Sequence, residues 1–321
     1  MANEPTKPSA PDGTAAQYRS HATPPDSGTL RQVAAFAAGA PFTALVAAVE
    51  VAVVTAALGV PLSTAPVAVG LVAFAVYAAD HVADAEGDAE STPARARIAL
   101  RYADQLMVAA AVSYGSAVAL AAGAGPAALA LVLVPGAVWI GYATDWLPAA
   151  GAFVAPLDEI SVPRLKDVFL LNSAAVALAW AVAVVAAPLA FAGVPVDSVG
   201  APAVGLLFAY VSVRSFVDVE VPNVRDVAAD AAQGVATLPV AYGVTGTRRI
   251  LLGVDAVAAG LLAAAAATGA AWSPALVALG VGLAVSVTVT ALAGRLRGAA
   301  LGVAPDCSYL VAGAALLALA L

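Results

Sequence analysis

Apolar runs long enough to cross a bilayer recur along this chain, and its lysines and arginines gather on one side of them. The runs read at about 34–58, 64–82, 105–122, 126–144, 168–190, 198–217, 249–268, 274–292 and 299–320, against the ~20 residues that a helix needs to span the hydrocarbon. Inside lipid every backbone N–H and C=O must find its partner within the segment, so such runs become helices. The composition agrees: 62% of residues are apolar and 11% charged, with a mean hydropathy of +0.92, where soluble domains carry about 25% charged residues. The expected fold class is all-α, a polytopic membrane protein of about nine transmembrane helices. The last run is the least regular, because Asp306 interrupts it.

Orientation follows from the cations. Lys7, Arg19 and Arg31 precede the first run. Arg95, Arg97 and Arg101 follow the second, Arg164 and Lys166 the fourth, Arg214, Arg225, Arg248 and Arg249 end or follow the sixth, and Arg295 and Arg297 follow the eighth. The alternate connections have none. The positive-inside rule places that side in the cytoplasm, with the N-terminus inside and the C-terminus outside a multi-pass cell-membrane protein. Residues 1–30 are rich in Pro, Ser, Thr and Ala and lack an apolar stretch, which reads as a disordered tail, not a signal peptide. Residues 31–321 form the membrane domain. The net charge of −7 and pI near 4.7 exclude a nucleic-acid surface, which needs a basic excess, and suggest a salt-adapted source. The single Cys307 can form no internal disulfide.

Two acidic clusters stand out in so charge-poor a chain. DHVADAEGD, at the end of the second run, holds Asp80, Asp84 and Asp88; RDVAAD, after the sixth, holds Asp226 and Asp230. A four-residue spacing stacks these carboxylates on one helical face, about 5–6 Å apart at Cβ, where like charges repel. A divalent cation would relieve the repulsion. Mg2+ suits the pattern, since it takes oxygen ligands and is usually held by one or two carboxylates together with substrate phosphates; without a Cys/His cluster, zinc does not. Arg95 and Arg97 beyond the first cluster, and Arg225 within the second, suit a phosphate partner. The same spacing also fits a solvated helix end with internal salt bridges. His81 reads as a polar boundary residue. Inside the runs, Glu50 is either a group that orients an acceptor or a neutral hydrogen-bonded bridge between helices, and Asp255 is a packing or ion-pair residue. Trp139, Trp146, Trp180 and Trp272 read mostly as interfacial anchors, and Tyr77 and Tyr142 as packing residues that could also face a cation.

DxxxDxxxD after the second run, with RDVAADAAQGVATLPVAYG after the sixth, resembles the UbiA superfamily of intramembrane prenyltransferases. The second motif matches at Arg225, Asp226, Asp230, Gly234, Thr237, Leu238, Pro239 and Gly243. RLKDVFLLNSAAVALAW, at 164–180, is similar to the family's basic-then-Asn segment through Lys166 and Asn172. Departures are Ala79 where many members have Asn, Ala229 for a frequent Gly, Leu171-Asn172 for a Lys-Asn pair, and the looser Pro93, Arg95, Arg97 after the first motif. The resemblance implies nine helices in a ring around a central cavity, with Asp-rich cytoplasmic cap loops. It implies an Mg2+-dependent transfer of a prenyl group from an allylic prenyl diphosphate to a hydrophobic or aromatic acceptor, such as a quinone precursor, an isoprenoid lipid or a carotenoid. Asp80, Asp84, Asp226 and Asp230 would be catalytic and, with Asp88, would hold metal. Arg95, Arg97, Lys166, Asn172 and Arg225 would bind the diphosphate. A non-catalytic isoprenoid-binding homologue and a cation-coupled transporter remain the alternatives.

Overall fold

The computed structural model describes residues 39–86, 92–143, 170–267, 273–296 and 299–321. All regular structure among them is helical: α1 (Ala40–Ala57), α2 (Ala65–Ala83), α3 (Pro93–Arg101), α4 (Ala103–Ala124), α5 (Pro126–Ala143), α6 (Leu171–Ala192), α7 (Val196–Val199), α8 (Ala201–Gln233), α9 (Leu238–Ala267), α10 (Pro274–Leu292) and α11 (Ala299–Ala320). Seven of the described helices, α1, α2, α4, α6, α9, α10 and α11, are long and apolar enough to cross a membrane. The remaining two apolar runs fall on α5 and α8. Residues 1–30, assigned to a tail, lie outside the described residues.

Local chemistry sets many of the boundaries. Proline stands in the first turn of α1, α2, α3, α8 and α10, where its fixed φ suits a helix and its missing N–H costs nothing. The Ser273 side chain accepts from the Leu276 N–H at 3.3 Å and caps α10, satisfying one of the donors a helix start leaves orphaned.

Neighbouring helices pack in sequence around the molecule: α1 on α2, α2 on α4, α4 on α5, α5 on α6, α6 on α8, α8 on α9, α9 on α10, α10 on α11, and α11 back on α1. The chain thus closes a ring. Alanine and valine dominate the buried positions, among them Ala47, Val51, Ala68, Ala117, Ala121, Ala181 and Val184. Small residues allow backbones to approach, which substitutes for a hydrophobic driving force between helices in lipid. A Cβ on Gly70 would lie 2.9 Å from the Ala44 carbonyl oxygen, and one on Gly282 would lie 2.9 Å from that of Ser308. Both crossings require glycine.

Helix α8 matters most for function. Its 33 residues extend roughly 50 Å at 1.5 Å per residue, well beyond a hydrocarbon core of about 30 Å. The second acidic motif therefore stands on the C-terminal part of this long helix and not in a loop. In the last run neither Asp306 nor Pro305 breaks the helix, and α11 continues through both.

Candidate functional site

The first acidic cluster sits where α2 ends. Asp80 is on the last helical turn and Asp84 is the C-terminal cap; the Asp84 N–H donates to the Asp80 carbonyl at 2.9 Å, so the two side chains keep their helical spacing. Asp80 is half-buried and Asp84 exposed. Asp88 lies outside the described residues. Helix α3 follows, with Arg95 half-buried and Arg97 exposed; Arg97 Nε donates to the Pro93 carbonyl at 3.1 Å. Lys166 lies outside the described residues, and at Asn172 and Tyr142 only the backbone is described.

The second cluster is held more tightly. Arg225 grips the neighbouring Asp226 with two hydrogen bonds, Nε to Oδ1 at 2.8 Å and Nη2 to Oδ2 at 2.6 Å. Thr237 donates its hydroxyl to Asp230 Oδ2 at 3.2 Å. That contact depends on how α8 ends. Gly234 adopts a left-handed conformation (φ 72°), open to glycine at no steric cost, and the Val235 N–H turns back to the Asp230 carbonyl at 2.9 Å. This Schellman closure brings Thr237 against Asp230, which is a physical reason for Asp, Gly and Thr at those spacings. Burial, followed by the nearby Asp226 and Glu220 carboxylates, pushes the Asp230 carboxyl above its ordinary value, against the Thr237 hydrogen bond and Arg225, which lower it. Glu220 is buried and takes a hydrogen bond from Ser173 on α6 and another, at 3.2 Å, from Asn223.

A cavity of about 300 Å3 opens between α1, α2, α3, α6, α8 and α11. Of the first acidic segment His81 lines it, and the second approaches it through Arg225. Tyr77 and His81 reach it from α2, Arg95 from α3 and Pro222 from α8. Gly302 of α11 also lines it, and the Arg225 guanidinium lies so near that a Cβ on Gly302 would be 2.7 Å from Nη1. Farther along the helices the wall holds Val46, Val176, Trp180, Ser215, Asp218, Asp306 and Tyr309. The Ser215 side chain is buried, and its hydroxyl has no hydrogen-bond partner among the described residues.

From Asp218 and Tyr309 on this wall an ionic network runs into the bundle, and the sequence did not mark its members as a site. Arg214 is 1% exposed. Its guanidinium is 3.1 Å from Asp218 and 3.6 Å from Asp255, donates to Ser286 and Ser308, and stacks 5.5 Å from the Tyr309 ring centroid. Asp218 also accepts from the Tyr309 hydroxyl. Asp255 is thus an ion-pair residue, as expected, with Arg214 of α8 as its partner. Glu50 accepts from Trp180 Nε1 at 2.7 Å, bridging α1 and α6. Trp180 accordingly works inside the ring and not as an interfacial anchor, since its indole N–H is committed to a buried carboxyl group. An arginine in an apolar run is the signal that could have exposed this network.

A divalent cation fits the residues at the mouth by their chemistry. Asp80, Asp84, Asp226 and Asp230 offer hard oxygen donors, and the like-charged neighbours that push Asp230 upward are what a cation would relieve. Among the described residues, no three Asp, Glu, His or Cys side chains already converge on one point. The two acidic pairs are presented from separate helix ends.

The structure resembles that titled the apo structure of a UbiA homologue from Aeropyrum pernix K1, with a TM-score of 0.64 and 19% identity over 86% of this chain and 98% of that one. It also resembles one titled for the biosynthesis of digeranylgeranylglyceryl phosphate synthase in membranes, with a TM-score of 0.52 and 13% identity over 89% and 96% of the two chains. Identities this low speak for the fold. No curated protein matches the chain by sequence. The model of the UbiA prenyltransferase family, however, matches residues 33–302, and the chain belongs to that family.

Proposed function

We propose that the chain transfers a prenyl group from an allylic prenyl diphosphate to a hydrophobic acceptor, with Mg2+ at the cytoplasmic mouth of its central cavity. One observation carries this reading: a single cavity is lined at one end by His81 of the first acidic motif, Arg95 and Gly302, with Arg225 of the second motif against Gly302, and farther in by Val46, Val176, Trp180 and Tyr309 together with Ser215, Asp218 and Asp306. An amphiphile with an anionic head and an isoprenoid tail is the complement of that shape.

Mg2+ held by Asp80, Asp84, Asp226 and Asp230, with Asp88 in reserve, would neutralise the charge that builds on the departing diphosphate. Arg95 lines the cavity and would bind a phosphate oxygen directly, a charge-assisted contact. Arg97, Lys166 and Asn172 are assigned to the same headgroup. Arg225 has a double task, because its guanidinium already orients Asp226 and lies against the cavity-lining Gly302. When the C–O bond of the donor breaks, the electron pair leaves with the diphosphate and an allylic cation remains. Tyr77, Trp180 and Tyr309 line the chamber where it forms, and aromatic faces stabilise cations. The apolar ring excludes water until the acceptor supplies electrons to the prenyl carbon and loses its proton. The likeness to a digeranylgeranylglyceryl phosphate synthase concerns the fold and does not assign that acceptor here.

Diphosphate release tests the reading. Purified protein in lipid nanodiscs, given geranylgeranyl diphosphate, a membrane-lipid acceptor extract and Mg2+, is expected to release diphosphate and yield a prenylated product by mass spectrometry. Chelation should stop release. No release with donors of several lengths, from folded protein, would remove the proposal.

A further inference from the structure

We propose that Asp306 and Ser215 form a polar subsite in the inner part of the cavity for the hydroxyl of an uncharged hydrophobic acceptor, and that this subsite turns away acceptors carrying a carboxylate or phosphate. The inference rests on the prenyl-transfer reading and names the acceptor class for it.

Depth comes first. Pro222 and Gly302 mark the mouth, because α8 leads from Pro222 to the Asp226 motif and Gly302 abuts Arg225. Helix α8 approaches the mouth from its N-terminal side while α11 departs from it, so Ser215 and Asp306 both lie on the inner side of those markers. At 1.5 Å per residue the offsets are roughly 10 Å for Ser215 and 6 Å for Asp306. Both residues line the same cavity.

Unmet bonding is the second observation. Ser215 is 5% exposed, and its hydroxyl has no partner among the described residues. A buried polar group without a partner is uncommon in a native fold and calls for one. Asp306 likewise makes no hydrogen bond or ion pair with a described residue, while Asp218 nearby is committed to Arg214 and Tyr309. A hydroxyl matches this pair, since it can donate to the Asp306 carboxyl and accept from Ser215.

Charge supplies the discrimination. Among the described residues Arg95 is the one lysine or arginine on the cavity wall, and it stands on α3 by the headgroup end. Arg214 behind the wall is already shared by Asp218, Asp255 and two serines. An anionic acceptor group placed inward would face Asp306 with no uncommitted cation beside it among the described residues, and like charges brought together in a low dielectric repel strongly.

The test uses the full chain with saturating Mg2+ and inorganic diphosphate, so that the headgroup site is filled, and two probes of similar shape, 4-butylphenol and 4-butylbenzoate. Binding is read by native mass spectrometry. The phenol is expected to bind at least about tenfold tighter than the benzoate, a gap of ~1.4 kcal/mol. Asp306→Asn should narrow the ratio below about threefold by improving benzoate binding, and Ser215→Val should weaken the phenol while leaving the preference in place. Equal affinities, a preference for the benzoate, failure of both probes to bind, or an unchanged ratio in Asp306→Asn would each overturn the subsite. The wild-type ratio decides even if a variant does not fold. Since no donor is turned over, the result is independent of diphosphate release: loss of release removes catalysis, and equal binding removes only the subsite.

Discussion

The carboxylates at the mouth of the cavity and those inside the ring differ in what answers their charge. Asp226 and Asp230 lie on the protruding end of α8, partly open to solvent, answered by one neighbouring arginine and one threonine hydroxyl. Asp218 and Asp255 lie within the bundle, locked to Arg214, which two serines and a tyrosine ring hold in turn. Charge that is only loosely answered can take up a metal and a phosphate. Charge committed to a buried arginine is less free to do so, and the work of Asp218 and Asp255 is to hold helices α8, α9, α10 and α11 together. Chemistry and architecture are therefore divided along a single helix.

The sharpest way to break this division is to remove the buried cation. Arg214→Met should lower stability by about 3–5 kcal/mol, because it strands two carboxylates in the interior; thermal unfolding in detergent or a collapse in folded yield reads this. An unchanged midpoint would mean that the interior acids are not locked as described.

Glu50 sharpens the comparison from the other side of the ring. Glu50→Ala should cost about 1–3 kcal/mol by leaving the Trp180 indole N–H unsatisfied, whereas Glu50→Gln keeps an acceptor and should lose less. If Gln and Ala are equally damaging to turnover but harmless to the unfolding midpoint, Glu50 belongs with the chemistry instead.

Gly302→Ala probes the mouth. The new methyl would meet the Arg225 guanidinium at 2.7 Å, and the flexible end of a side chain can move aside, so stability should change by no more than about 0.5 kcal/mol. Diphosphate release should nevertheless fall several-fold, because the guanidinium that moves is the one orienting Asp226. A loss of stability with unaltered turnover would reverse the assignment of the two regions.

The smallest effect concerns Asp230. Its carboxyl is pushed upward by burial and by Asp226 and Glu220, so the folded state binds this proton more tightly than the unfolded chain does. The sign follows: Asp230 favours folding when protonated, and that contribution is lost as pH rises through its raised value. Without metal at neutral pH, Asp230→Asn should therefore unfold at a slightly higher temperature than wild type, and Mg2+ should stabilise it less. In activity, acid should silence the wild type from a higher pH than an ordinary aspartate would allow, as protonation removes a metal donor. A lower unfolding temperature for Asp230→Asn in metal-free buffer would contradict the assignment.

Much of the mouth was legible in the sequence, and little of the interior was. Apolar length and the placement of arginines mark the spans because lipid leaves backbone groups no other solution. Asp226, Asp230, Gly234 and Thr237 were legible as a motif because one local turn ties them together within a dozen residues. The partnership of Arg214 with Asp255, Ser286 and Ser308 spans three other helices, and no local periodicity encodes which helices a ring brings side by side. Asp306 read as an interruption for the same reason: its meaning comes from a cavity that six helices enclose. Even the extension of α8 was hidden, since a polar stretch after an apolar run looks like a loop until tertiary contacts show that Val217, Val221 and Val224 pack with Leu238, Leu251 and Leu301.

The central claim is that the two acidic helix ends act as one site. Diphosphate release by Asp84→Ala, Asp226→Ala and the double variant, each in nanodiscs with Mg2+, tests it most directly. One shared site predicts that each single change costs on the order of 100-fold or more and that the double variant is worse than either by less than about tenfold, as groups acting as a unit behave. Losses that multiply fully in the double variant, or a single variant that retains wild-type release, would contradict it.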